Sequence, residues 1–264
     1  MGYRFDEDAA VTSLGGGRYG ARLAGDWAIG NALHGGYLLA VACQAALADD
    51  AHPDLLAVAA NYLRSPQPGP AEAVVERTRS GRRVGFSRVL MTQDGEPWLD
   101  AVVTTGTVTA DDPQWTEVSD EDKPGPDESL VMPAAAPDGR VIPMAELREI
   151  RLDPRMPWVS GRFEGPPKTA GWMRFGDGRE PDPLAMAFFV DALPPVTFAQ
   201  GRFGWVPTVQ LSMQVRARPA PGWCWGVMRG GVEVGGFLDE QMEVWDSAGR
   251  LVAQGRQLAV APRT

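Results

Sequence analysis

The stretch WVPTVQLSMQVR, Trp205 to Arg216, alternates with period two. Val206, Thr208, Gln210, Ser212, Gln214 and Arg216 fall on one face, and Pro207, Val209, Leu211, Met213 and Val215 on the other. This predicts a half-buried strand, because successive side chains leave a pleated strand on opposite sides. In the first half of the chain LGGGRYGARLAGDW predicts short strands, and LLAVAANYLRSP, GPAEAVVERTRSG and RVGFSRVLMTQDGEPWLDAVVTTGTVT predict longer ones, the last a hairpin turning at Asp94-Gly95. The second half reads alike: ELREIRLD and SGRFEG, then VPTVQLSMQVRARP, GWCWGVMRGG, GFLDEQMEVWDSAG and RLVAQGRQLAVAP.

Two segments are apolar without alternation, HGGYLLAVACQAALADD and PDPLAMAFFVDAL, and each predicts a helix. The second starts clearly, with Asp182 as N-cap and Pro183 at the first helical position. Apart from Asp191 it has no polar side chain between Leu184 and Leu193. A helix apolar all round is buried on every side, so the pattern predicts an α+β fold in which each half wraps a curved antiparallel sheet round one long helix. The order of elements repeats: RSPQPG at 64–69 answers RPAPG at 218–222, and Asp94-Gly95 answers DSAG at 246–249. The boundaries expected are a first repeat at 1–109, an acidic, Pro- and Ala-rich linker at 110–145, and a second repeat at 146–264.

Composition narrows the function. A net charge of −9 over 264 residues disfavours nucleic acid and anionic membranes, which need a basic face. The longest apolar run, GGYLLAVACQAALA, is shorter than the roughly 20 residues of a membrane span. MGYRFDEDAA lacks the basic segment and apolar core of a secretory signal. Cys43 and Cys224 lie in apolar runs without metal-type spacing, which predicts buried thiols in a reducing cytoplasm, with a disulfide as the alternative.

The segments NALHGGYLLAVACQAA, ANYLRSPQPGP, PDPLAMAFFVDALPP, VPTVQLSMQVRARPAPG and DSAGRLVAQGRQLAV, taken in order, resemble acyl-CoA thioesterase II, the TesB-like thioesterases. The resemblance covers nearly the whole chain outside 110–145 and rests on the ordered set rather than on any one motif. It implies a double hotdog that hydrolyses acyl-CoA to a free acid and CoA without metal or organic cofactor, and a homo-oligomer, a dimer of double hotdogs. It implies that Asp191, Thr208 and Gln257 together activate a water.

Read from the residues alone, each of these has two readings. A carboxylate on an apolar helix must be hydrogen-bonded or neutralised, unless Asp191 escapes to solvent at the helix end before Pro194-Pro195. Thr208 and Gln257 either face solvent on alternating strands or hold a water in line. The glycines of His34-Gly35-Gly36 either expose helix N-terminal amides to an oxyanion or admit the helix to a crowded sheet. His34 either donates to substrate or caps the helix. Arg79, Arg82 and Arg83 surround a turn at Ser80-Gly81, where they either bind CoA phosphates or keep an edge hairpin soluble. By landmark alignment Gln44 falls near Asp191, Leu55 or Leu56 near Thr208, and Thr104 near Gln257, so one active site is expected, built from the second half. A serine hydrolase lacks its G-x-S-x-G elbow. A hotdog dehydratase would need its histidine from His34 or His52 alone. A hotdog that binds acyl-CoA without hydrolysis is the remaining alternative.

Overall fold

The computed structural model describes residues 2–118, 122–135 and 142–262. The first half contains α1 (Arg4–Asp8), β1 (Val11–Gly15), β2 (Arg18–Leu23), a small hairpin of β3 (Ala28–Ile29) and β4 (Ala32–Leu33), α2 (Gly35–Asp49), β5 (Asp54–Tyr62), β6 (Gly69–Ser80), β7 (Gly85–Gln93) and β8 (Glu96–Gly106). The second contains β9 (Leu130–Val131), β10 (Arg148–Leu152), β11 (Lys168–Phe175), α3 (Ala185–Phe189), β12 (Thr208–Val215), β13 (Cys224–Val234), β14 (Phe237–Trp245) and β15 (Leu251–Val260). No helix among the described residues is long and apolar enough to cross a membrane.

Apart from β3 and β4, the described strands form one 13-stranded sheet in the order β1-β2-β6-β7-β8-β5-β12-β15-β14-β13-β11-β10-β9. The order is a palindrome about the β5–β12 seam, with β2, β6, β7, β8 and β5 answered by β11, β13, β14, β15 and β12. The two halves therefore share a topology. Inside the expected linker, β9 adds an edge strand to β10, while residues 119–121 and 136–141 of that stretch lie outside the described residues.

The two helices differ from expectation in length. α2 runs for 15 residues, and Gly36 through Cys43 are all buried, as its unbroken apolar run predicts. α3 is α-helical for only 5 residues. Its helical residues begin at Ala185 with Leu184 as N-cap, two residues later than Asp182-Pro183 suggest, although Asp182 Oδ1 does accept the Ala185 N–H at 2.7 Å. Its last amides then tighten to three-residue spacing, Asp191 N to Phe188 O and Ala192 N to Phe189 O. Pro194 and Pro195 follow, and having no N–H they cannot continue the ladder. Cys43 and Cys224 are buried free thiols.

Candidate active site

The site forms where the first turn of α2 meets the end of α3. His34 is the N-cap of α2, and its ring Nδ1 accepts the Tyr37 N–H at 3.4 Å. That bond puts the ring proton on Nε2, which donates to the Asp191 carbonyl at 2.9 Å. The Gly36 N–H donates to Asp191 Oδ2 at 2.7 Å. Helix N-terminal amides favour a carboxylate, so the end of α3 is pinned to the start of α2.

Both glycines serve this approach. A Cβ on Gly35 would lie 2.8 Å from Asp191 Oδ2, and one on Gly36 would lie 2.8 Å from the Phe188 carbonyl oxygen and 3.0 Å from Asp191 Cβ. Tyr62, at the end of β5, completes the collar by donating its hydroxyl to the Gly35 carbonyl at 3.0 Å. Asp191 does not escape to solvent, since its side chain keeps only 12 % of its exposure.

A bulge brings the second group of residues inward. β12 pairs with β15 in register from Gln210 onward, and the register shifts by one between Thr208 and Gln210. Leu211, Met213 and Val215 point into the core. Continued alternation would put Val209 beside them, but the extra residue reverses the phase and turns Thr208 toward Gln257. The Thr208 hydroxyl donates to Gln257 Oε1 at 2.7 Å. Gln257 is buried on the inward row of β15 with Ala253 and Ala259.

The Gln257 amide in turn donates to Glu240 Oε2 at 2.5 Å, and Glu240 Oε1 accepts the Val196 N–H at 2.7 Å. Glu240 is 1 % exposed and shares the inward face of β14 with Leu238, Met242 and Val244. Gly255, two residues before Gln257 on the same face, would place a Cβ 3.2 Å from Val190 Cβ. Its small size lets the end of α3 settle onto the strand that carries Gln257.

Burial dominates the electrostatics. It pushes Asp191 up to about 7, against the pull of the Gly36 N–H, and the charge of Glu240 adds to the rise. Burial holds His34 down at about 3, helped by the positive charge of Arg148, so the ring is a neutral donor. Glu240 is raised by burial, opposed by its bonds from Val196 and Gln257. Tyr62 is raised well above an ordinary phenol by burial and by the neighbouring charge of Asp191. Asp191 thus titrates near neutrality, and Glu240, whose charge bears on it, holds the Gln257 that accepts from Thr208, a set of groups suited to proton transfer from a water.

Arg79, Arg82 and Arg83 are exposed on the hairpin that joins β6 to β7. That hairpin lies at the other end of α2: Arg77 pairs with Asp49 at 2.7 Å, and Gly85 packs against Asp50. The 15 residues of α2, at 1.5 Å each, put it about 20 Å from Asp191. The structure does not bring these arginines to the carboxylate.

The paired bulges settle the correspondence between the halves. β5 has its own register shift between Leu55 and Ala57, so Leu55 answers Thr208. Val58 faces Val103 as Leu211 faces Gln257, which makes Val103, not Thr104, the counterpart of Gln257. Ser87 faces Val103 as Glu240 faces Gln257. The first half therefore has Leu55, Val103 and Ser87 where the second has Thr208, Gln257 and Glu240. It supplies His34, Gly36 and Tyr62 instead. Sequence reading missed Glu240 and Tyr62, and only Glu240 left a signal, an acid in the inward register of LDEQMEV.

A sheet curled over buried helices, with its polar cluster at the head of the long helix, is a hotdog-type α+β architecture. A protein of Alicyclobacillus acidocaldarius described as having a hotdog fold superposes with a TM-score of 0.87 over 100 % of both chains at 24 % identity. Residues 23–110 match the acyl-CoA thioesterase N-terminal domain and residues 126–261 the C-terminal domain. The chain belongs to the acyl-CoA thioesterase family and is a thioester hydrolase. A Thermobifida fusca protein assigned as a thioesterase II is 29 % identical, with a TM-score of 0.90 over 99 % of this chain and 98 % of that one. The uncharacterized protein Rv0499 of Mycobacterium tuberculosis H37Rv is 34 % identical over 260 residues, 89 % of this chain and 88 % of that protein.

Proposed function

We propose that the chain hydrolyses acyl-CoA by direct attack of a water that Asp191 deprotonates and Thr208 and Gln257 hold in line. The observation that carries this reading is that the Glu240 to which Gln257 donates, Gln257 itself accepting from Thr208 at 2.7 Å, also bears by its charge on Asp191, which burial raises to about 7. At that position the carboxylate is a base of useful strength near neutral pH. Asp191 Oδ2 is occupied by Gly36, which leaves Oδ1 to take the proton.

Thr208 spends its hydroxyl proton on Gln257, so toward a water it can only accept. A water that donates one proton to Asp191 and the other to Thr208 keeps a lone pair for the thioester carbon. The developing oxyanion needs N–H donors. The Gly36 and Tyr37 amides are taken by Asp191 and His34, so the Gly35 amide, with the positive end of α2 behind it, is the first-turn donor assigned to it. His34 acts here as a fixed neutral prop rather than as the base.

The test is release of free thiol, followed with a thiol-reactive chromophore, from acyl-CoA substrates of graded chain length. The protein is expected to release thiol from at least one member, and Asp191→Asn is expected to lower kcat by at least about 100-fold with the fold intact by circular dichroism. An Asp191→Asn variant with parental rates would refute the assignment. Release from no member would favour a binding role over catalysis.

A further inference from the structure

Among the described residues, Glu240 is the one buried carboxylate whose charge bears on Asp191 and to which the reaction above gives no task. It is 1 % exposed, both of its oxygens accept N–H groups, and Asp191 feels its charge. Burying a carboxylate is costly, and nothing in the packing of β14 asks for one, since its inward neighbours Leu238, Met242 and Val244 are apolar.

What Glu240 does differently from an apolar or amide side chain is fix a direction. An ionised carboxylate only accepts. With Oε1 on the Val196 N–H and Oε2 on Gln257, it obliges the Gln257 amide to turn its NH2 toward β14. The Gln257 carbonyl must then face Thr208, and the Thr208 hydroxyl must donate to it. We propose that Glu240 is a positioning residue that sets the polarity of the chain from Thr208 through Gln257, so that Thr208 meets the attacking water only as an acceptor. With the chain reversed, the Gln257 NH2 would face Thr208, the Thr208 hydroxyl would turn its proton on the water, and the lone pair needed for attack would be engaged. The inference rests on the roles given above to Asp191, Thr208 and Gln257.

The polarity can be reversed and restored at constant shape. In Glu240→Gln the side-chain carbonyl still accepts from Val196, so its NH2 faces position 257 and drives the Gln257 amide over. Expected is a fall in kcat of about 10- to 100-fold, the scale of a misplaced reactant, with KM within about twofold and an unchanged melting temperature. In the double variant Glu240→Gln with Gln257→Glu, the new Gln donates to the new Glu, whose second oxygen again accepts from Thr208. The number of carboxylates is the same as in the parent. Expected is recovery of at least about fivefold over Glu240→Gln, which a merely structural role for Glu240 does not produce.

Parental kcat in Glu240→Gln overturns the proposal, as does a double variant no faster than the single one. A readout on the unmutated protein holds even if a variant fails to fold. The Gln257 side-chain amide protons in NMR are expected to include one that is shifted downfield and slow to exchange, and two rapidly exchanging protons overturn the proposal. If Glu240→Gln is silent while Asp191→Asn is inactive, only the role of Glu240 fails. If Asp191→Asn keeps parental activity, the underlying mechanism fails and takes the role of Glu240 with it.

Discussion

Asp191 is held by one N–H from Gly36 in surroundings that otherwise disfavour its charge, and both its chemistry and its cost follow from that. An ordinary aspartate value of 3.8 becomes about 7, with burial as the main cause and Glu240 adding to it. In the proposed mechanism the base is competent only when ionised, so kcat/KM is expected to climb about tenfold per pH unit on the acid side and to level off above about 7. His34, held at about 3, adds no second limb between pH 5 and 8. The same shift couples pH to stability. The folded state holds the Asp191 proton more tightly than the unfolded chain does, so the stability it contributes is fully present below about 3.8 and is lost as pH rises through about 7. Three units correspond to about 4 kcal/mol at most. Asp191→Asn cannot ionise, so its melting temperature relative to the parent should rise from pH 4 to pH 8. A difference that stays flat or falls over that range, in thermal unfolding at the two pH values, contradicts this assignment of the shift.

At the scale of elements, the contact between the head of α2 and the end of α3 has no room to spare. A Cβ at position 36 would sit against the Phe188 and Ala187 carbonyl oxygens at 2.8 and 3.0 Å and against Asp191 Cβ at 3.0 Å, and backbone can yield only by moving α3. Gly36→Ala is therefore expected to cost about 1–3 kcal/mol and, by shifting Asp191, to lower kcat by at least about tenfold. Gly20→Ala in β2 would meet Leu14 only at an ordinary 3.8 Å and serves as the near-neutral control for both readouts. Equal behaviour of the two variants would refute the close-packing account. Most strands, though not their order in the sheet, and the burial of α2 were legible in the sequence because period-two and all-apolar patterns report directly on faces; the strand expected at SGRFEG lies instead at β11, Lys168–Phe175. Thr208 was legible as a residue but not in its orientation: period-two reading put it on the outer row with Gln210 and Gln214, and a bulge, which adds a residue without any composition mark, turned it inward. The length of α3 was overestimated because the apolar run continues past Val190 while the backbone tightens at Asp191 and stops at two prolines. Glu240 stood in plain alternation with Leu238 and Met242, and Tyr62 had no local signal at all, since its relation to Asp191 exists only once β5 lies beside β12.

At the scale of the molecule, the proposed site belongs to neither half. Asp191, Thr208, Gln257 and Glu240 come from the second, while the amide, imidazole and phenol that hold Asp191 and its collar come from Gly36, His34 and Tyr62 of the first. The halves are joined by the β5–β12 ladder, Asn61 facing Gln210 through Ala57 facing Gln214, and by Arg218, which pairs with buried Asp54 at 2.6 Å. Asp54 also accepts the Val108 N–H, so this carboxylate ties the end of β8 to the seam. A continuous sheet leaves no surface along which one half can melt and keep its edge paired, so thermal unfolding is expected to be a single transition with matching calorimetric and van't Hoff enthalpies. Activity should disappear along the same curve, since loss of either half dismantles the proposed site. Arg218→Met removes the charged partner but leaves the Val108 bond and an exposed guanidinium's worth of solvent, so it should cost only about 1–2 kcal/mol and lower that one transition by roughly 2–4 °C per kcal/mol. Two resolved transitions in the parent or in Arg218→Met, with activity following only one of them, would show that the halves fold as separate units and that the seam does not couple them.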